Sequence, residues 1–230
     1  MRKQRVHELM LAAGQGDDRV VQLCASAVGA LAVDGVGLSM TDGTGQHNKV
    51  AATDDVSDRI EDLQVLLGQG PCVDAVATGV PVLVDDLAGP DVGTRWPIFT
   101  PAAAALGVSA SFSLPLVVGD MRLGAMDLYR TDVGPLHPAQ VAEAQDYASA
   151  AVNMLLERHR GPVGSAADAP GWATSSAVHQ ATGMVMVQMG ADAEAAFATL
   201  RARAYQEGRS LSEVASDVLD RRIRMTDREA

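Results

Sequence analysis

Hydrophobic positions recur along this chain at both helical and strand spacing, and a purely helical rhythm takes over near its end. From Arg19 to Leu31 the apolar residues Val20, Leu23, Ala27, Val28 and Leu31 fall on one stripe at helical spacing. VGLSMTD then alternates Val36, Leu38 and Met40 with small or polar residues, passes through the turn-rich DGTGQHN and runs on into KVAATD, which predicts two strands joined by a hairpin. Helical spacing returns at Ile60, Leu63, Leu66 and Leu67 and stops at Gly68. VPVLVDDL is short and β-branched, RWPIFTPAAAALG reads as a mixed, helical crossover, and SASFSLPLVV alternates Phe112, Leu114, Leu116 and Val118 with small residues. Gly119-Asp120 is a two-residue turn signal leading into MRLGAMDLYR. Last in this part, a long helix over His137 to His159 carries Val141, Ala144, Ala148, Val152, Leu155 and Leu156. The sum is an antiparallel sheet with flanking helices, the α+β class.

RGPVGSAADAPG, Arg160 to Gly171, has no periodicity and is rich in Gly, Pro and Ala, so it reads as a linker. Everything after it is helical. A first helix, Ser175 to Met189, places Val178, Ala181, Val185 and Met189 on one face. The second follows the N-cap residue Asp192, has Glu194 in its first turn, and turns inward Ala193, Ala196, Phe197, Leu200 and Ala204. Ser210 and Glu213 of SLSE have the spacing of a capping box, which opens a third helix with Leu211, Val214, Ala215, Val218 and Leu219 on its apolar face. The expected division is an extension over residues 1–16, the α+β part over 17–160, a linker over 161–172 and an all-α three-helix bundle over 173–230.

Charge separates the same two parts. The net charge of −11 is carried almost wholly before residue 173, where 11 basic face 21 acidic residues, against 7 and 8 afterwards. Such an acidic chain does not coat nucleic acid by charge alone. A hydrophobic content of 47% is enough for a sizeable core, yet no apolar run reaches the roughly 18–20 residues that span a bilayer. The opening MRKQRVHELMLAAGQ has too brief an apolar run for a secretory signal, and Cys24 and Cys72 are too few for a disulfide framework. A cytoplasmic protein is expected.

Catalytic constellations are missing. Gly68-Gln69-Gly70 leads into Pro71 and Cys72 and completes neither a P-loop nor a dinucleotide fingerprint, while His7, His47, His137, His159 and His179 are scattered without metal-ligand spacing. No enzyme, cofactor or metal is expected. Met184, Met186 and Met189 have a spacing a thioether copper site could use, but on a helix they point about 200° and 300° apart, so they read as core. Cys72 is the nearest approach to a reactive group: a thiol opening a helix after Pro71 could have a lowered pKa and act as a redox trigger, its alternative being a packed core thiol.

HQATGMVMVQMG, then DAEAAFATLRARA, then RSLSEVA strongly resembles the ANTAR family of RNA-binding antitermination modules over about residues 173–225. The match runs in order through Ala181, Gly183, Met186, Gly190, Ala196, Phe197, Leu200, Arg201, Ala204, Leu211, Val214 and Ala215 without insertion. Thr182 stands where the family commonly has lysine, which weakens the electrostatic contribution of that helix. LGQGPCVDAVATG at 67–79, DDL at 85–87, RWPIF at 95–99 and the SLPL strand resemble the GAF-type sensor domains that precede ANTAR modules in actinobacterial proteins. Apart from Asn48-Lys49 the pattern of cyclic-nucleotide-binding relatives is missing, so no ligand is named for it.

This resemblance implies a transcription antiterminator that binds paired hairpins in nascent transcript leaders. RNA readers of this kind engage unpaired bases by stacking and edge hydrogen bonds while arginines hold phosphates. Arg201 and Tyr205, four apart on one helix face, fit a phosphate and a base; Arg203 and Arg209 extend the surface, and His179, Gln180, Thr182 and Gly183 offer polar groups and a close backbone approach. A homodimer would match two bundles to two hairpins, with the 137–159 stripe pairing with its copy or with the N-terminal helix. For the sensor, two roles stay open: binding an unidentified small molecule, or serving only to dimerise. The alternatives are a DNA-binding regulator of helix-turn-helix type and a protein-interaction module; against the former, only 15 residues follow Ala215, too short a stretch for a turn and a recognition helix.

Overall fold

The computed structural model describes residues 18–41, 47–159 and 170–225. The 1–16 extension, the turn at 42–46 and the linker over 161–169 lie outside the described residues. The chain divides into two compact units, Met1–Ala166 and Ala167–Ala230.

In chain order the first unit contains α1 (Asp18–Leu31), β1 (Gly35–Thr41), β2 (His47–Ala52), α2 (Asp55–Leu67), α3 (Pro71–Thr78), β3 (Val82–Val84), α4 (Val92–Arg95), α5 (Phe99–Ala105), β4 (Ala110–Val118), β5 (Met121–Arg130) and α6 (Pro138–His159). The strands form one antiparallel sheet in the order β2-β1-β5-β4-β3. The hairpin turn expected at Gly119-Asp120 closes β4 onto β5, with Val118 opposite Met121. The expected crossover helix is split into α4 and α5.

Strand periodicity gives this sheet two different faces. One is apolar: Val36, Leu38, Phe112, Leu114, Leu116, Met126 and Leu128 join Leu23, Ala27 and Leu31 of α1 and Ala144, Tyr147, Ala151 and Leu155 of α6 in a single buried core. The long stripe of α6 is therefore covered by α1 and β4 within the chain. Of the two partners expected for it, the chain's own N-terminal helix occupies the place.

The opposite face is built of the intervening small and polar residues. Register aligns Gly37, Asp127 and Ser113 across β1, β5 and β4, and beside them Gly35, Tyr129 and Ser111. Helices α2 and α3 lie over this face. Here the structure departs from the sequence reading: the residues that α2 buries are Ser57, Ile60, Glu61 and Gln64. Leu63 and Leu67 are instead partly buried against a second apolar cluster around Trp96, Phe99, Val82 and Val84. A floor of glycine and serine with an aspartate at its centre leaves room for polar side chains from above.

Local chemistry fixes α2. Asp54 caps it by accepting from the Val56 and Ser57 amides, both at 2.8 Å, and also accepts from the Tyr129 hydroxyl at 3.0 Å. Gly68, with φ 60, ends the helix in the left-handed region. Asp54→Ala should cost about 1–2 kcal/mol in urea unfolding, because it removes the cap and strands a phenol, whereas Asp54→Ser keeps the cap and should recover part of that loss. Two segments far apart in sequence are also tied here. Asp74 of α3 accepts from Arg95 at 2.7 Å and from the Trp96 indole at 3.2 Å, so LGQGPCVD and RWPIF meet.

The second unit contains α7 (Pro170–Met189), α8 (Ala193–Glu207) and α9 (Leu211–Leu219). Helix α7 thus starts five residues before the expected Ser175 and takes in residues 170–172 of the stretch read as linker. Val178, Ala181 and Val185 of α7, Ala196, Leu200 and Ala204 of α8, and Val214, Ala215 and Val218 of α9 form the buried interior, with alanines where helices approach closely. Met189, Phe197, Ala193, Leu211 and Leu219, also expected inside, are only partly buried. Asp192 caps α8 through the Ala195 amide at 2.8 Å, and the Ser210–Glu213 capping box opens α9. Beyond α9 the chain reverses at Arg221, φ 59, and the Met225 amide donates to Gln188 of α7 at 2.7 Å.

Candidate nucleic-acid interface

Helix α8 presents a stripe of three residues at intervals of four: Phe197, Arg201 and Tyr205. The Arg201 guanidinium lies over the Phe197 ring, 5.4 Å from its centroid, and its Nε is buried without a hydrogen-bond partner. Burial lowers its pKa from the ordinary arginine value. A planar cation stacked on an aromatic face with unused donors is suited to a phosphate or a base edge. One turn further, Tyr205 is 55% exposed, a large ring held out to solvent.

The other two arginines read as RNA contacts are engaged within the bundle. Arg203 donates to Glu207 one turn on, and Arg209 bridges Glu207 at 3.0 Å and Asp217 of α9 at 2.7 Å. Arg222 in turn pairs with Asp217 and Asp220. The hydrogen bonds from Arg203 and Arg209 hold Glu207 below the usual carboxylate range, and those from Arg209 and Arg222 do the same for Asp217. This chain of exposed pairs ties the end of α8 to α9, so Arg203 and Arg209 act as much on the bundle as on its surface.

Helix α7 contributes an outward row of Gln180, Gly183 and Val187, with His179 partly buried beside it. A Cβ on Gly183 would meet nothing within 4 Å, so its openness is available to a partner's close approach. Val187 is 85% exposed, and no charged residue occurs anywhere in α7. Sequence reading passed over Val187, whose signal lay in its position between the inward Val185 and the next turn. Thr182 is a correction. It is buried, and its hydroxyl donates to the Val178 carbonyl at 2.8 Å, because the helix turns that position into the bundle. The threonine is spent on the interior. After Leu219 no further helix follows among the described residues, so nothing there serves as a second, groove-reading helix.

Of the two readings of Cys72, the structure shows the packed core thiol. It does open α3 after Pro71, and its amide donates to the Gln64 side chain at 2.7 Å. Its thiol is buried, however, and burial, reinforced by the charges of Asp127 and Glu61, raises its pKa well above the ordinary value. A protonated, enclosed thiol is the opposite of a reactive thiolate. What the sequence reading missed is its company: Glu61, Gln64, Ser39, Ser113 and Asp127 are all buried around it. Asp127 in the middle of the apolar strand GAMDLYR was the available sign.

The family model of the GAF domain matches residues 17–155, and that of the ANTAR domain matches residues 172–219. Solved structures with the fold of the first unit include the GAF domain of an Acinetobacter phosphoenolpyruvate-protein phosphotransferase, at 10% identity and TM-score 0.54, covering 69% of this chain and 92% of that one. Its counterpart from Coxiella burnetii matches at 14% identity and TM-score 0.54 over 69% and 92%. A free methionine-R-sulfoxide reductase from Neisseria meningitidis, in complex with its substrate, matches at 14% identity and TM-score 0.51 over 69% and 88%. At these identities the likeness concerns the fold alone. No curated protein matches the chain. No helix among the described residues is long and apolar enough to cross a membrane. An ANTAR domain implies an RNA-binding antitermination regulator, and a GAF domain implies a sensor. The chain belongs to the GAF domain family and is a GAF–ANTAR protein, with the first domain at 17–155 and the second at 172–219.

Proposed function

We propose that this protein is a transcription antiterminator whose ANTAR domain binds paired hairpins in the leader of a nascent transcript, favouring a fold of the RNA in which the terminator does not form. The Phe197–Arg201–Tyr205 stripe is the centre of the contact, flanked by His179, Gln180, Gly183 and Val187 of α7. The observation that carries this reading is the Arg201 guanidinium, stacked on Phe197, with a buried Nε that no acceptor satisfies. A phosphate would bind the terminal nitrogens of the same guanidinium, which no carboxylate among the described residues holds. Tyr205 supplies the exposed ring on which an unpaired base can stack. Arg203 and Arg209 keep the surface in shape and add to its potential.

Two copies acting together would place two such surfaces on two hairpins, where tethering raises apparent affinity without new contacts. With the α6 stripe enclosed in its own core, dimerisation must use another surface. The GAF domain is the sensory part. It has an open pocket of about 340 Å³ bordered by Asp86, Leu87, Thr100, Ala104, Val108 and Ser109. That lining fits a small, mainly apolar molecule.

The test is binding of the full chain to paired hairpins, to the same RNA with its loop bases changed, and to duplex DNA. Tight binding to the hairpins that is lost with the loop bases is the expected result. Preference for the duplex would replace this reading with a DNA-binding regulator, and failure to bind either would leave a protein-interaction module.

A further inference from the structure

The buried polar cluster beneath α2 and α3 contains two carboxylates and a thiol with no role in RNA recognition. Glu61 is 1% exposed, and neither of its carboxylate oxygens has a hydrogen-bond partner. Asp127 Oδ2 and Gln64 Nε2 are likewise buried and unpartnered. One ligand atom each from Glu61, Cys72 and Asp127 lies within 4.8 Å of the other two. From this geometry we infer that Glu61, Cys72 and Asp127 form a binding site for one divalent first-row transition-metal ion inside the GAF domain.

Several features of the fold converge on that point. Position 37 is glycine, and a Cβ there would stand 2.3 Å from Glu61 Oε1, so the strand is cut back where the carboxylate descends. The Ser113 hydroxyl donates to Asp127 Oδ1, orienting that carboxylate and leaving Oδ2 available. Ser39 Oγ lies 3.4 Å from Cys72 Sγ, and Gln64 fixes the Cys72 amide. A cavity of about 10 Å³, bordered by Gly37, Ser57, Ile60, Glu61, Asp127 and Tyr129, adjoins the two carboxylates. This is close to the space one water-sized ligand needs.

No basic side chain among the described residues pairs with either acid. Two buried acids and a thiol sit together, and the nearby Lys49 is committed to Asp58 and Asp62, at 2.6 and 3.0 Å. A divalent ion would let the acids ionise and the thiol release its proton to solvent, reversing the cost of enclosing them. One thiolate and two carboxylates form a mixed donor set that suits zinc, iron(II) or cobalt(II) better than the hard ions magnesium and calcium, which require oxygen alone.

The full chain, stripped with a chelator under reducing conditions, is titrated with cobalt(II) and then with zinc. The expected result is one equivalent of cobalt with a thiolate-to-metal charge-transfer band, displaced by zinc and untouched by excess magnesium. X-ray absorption of the zinc form should show one sulfur at about 2.3 Å with oxygens at about 2.0–2.2 Å. Cys72→Ser should abolish the band while Cys24→Ser retains it, and Ser113→Ala, which leaves all three ligands in place, should weaken cobalt binding about 10–100-fold. A zinc sphere without sulfur, binding that magnesium displaces, or no stoichiometric binding by the folded chain overturns the assignment. None of these outcomes depends on RNA.

Discussion

Leu200→Ala should unfold the ANTAR domain while the GAF domain keeps its structure. Leu200 is among the largest fully buried side chains of the protein and sits in the middle of α8, between Ala196 and Ala204. Its neighbours across the interior are themselves small: Ala181, Val185, Val214, Ala215 and Val218. Alanines cannot lean in to refill the space a leucine leaves, so the substitution falls near the upper part of the range of about 2–5 kcal/mol for such truncations. A domain of this size has only about 3–5 kcal/mol from its core. The loss therefore removes most of the available stability. Circular dichroism with amide exchange should show protection lost from 178–219 and retained in β1, β4 and β5, and RNA binding should disappear with it. Retained protection over α8 in the variant would mean that contacts beyond the bundle's own interior hold it together.

Much of this architecture was legible in the sequence because burial there obeys a simple rhythm. The alternation of Phe112, Leu114 and Leu116 and the stripe of Leu23, Ala27 and Leu31 all point into one core, as the spacing predicts. Ser210 and Glu213 form their capping box because three residues separate them, whatever surrounds them. The other side of the sheet obeys a different logic. Residues such as Ser39, Ser111, Ser113 and Asp127 look solvent-facing by alternation, but α2 and α3 cover them, and Glu61 and Gln64 complete a polar interior. No rule of apolar spacing points to a face on which polar groups are buried against one another, so α2 was read with its leucines inward. The same limit applies in part to the RNA surface. Arg201 on Phe197 and Arg203 on Glu207 are four-residue neighbours on one helix and so were open to spacing, whereas the hold of Asp217 on Arg209 joins two helices and was not. Thr182 is not an exposed group for a related reason: helix phase, not visible in a short motif, puts it inside.

That difference among the arginines leads to the second large effect. Arg201→Ala should weaken hairpin binding by about 1–3 kcal/mol, roughly 5- to 160-fold, and reduce the salt dependence by the share of about one phosphate contact. The same substitution gives up no ion pair but does remove the stack on Phe197, so the domain's melting temperature should fall only slightly. Arg203→Ala should show the reverse balance, a modest effect on RNA and a loss of thermal stability through Glu207, though a small one, since exposed pairs contribute little individually. Tyr205→Ala should cost a similar 1–3 kcal/mol with the salt slope intact, and Tyr205→Phe should restore binding if the ring stacks on a base. Filter binding across a range of salt concentrations, with melting curves for each variant, separates these cases. Undiminished affinity and slope in Arg201→Ala would remove Arg201 from the contact, and an equally silent Tyr205→Ala would shift it to the uncharged row of Gln180, Gly183 and Val187 on α7, where recognition would have to proceed by shape and stacking, without a fixed cation.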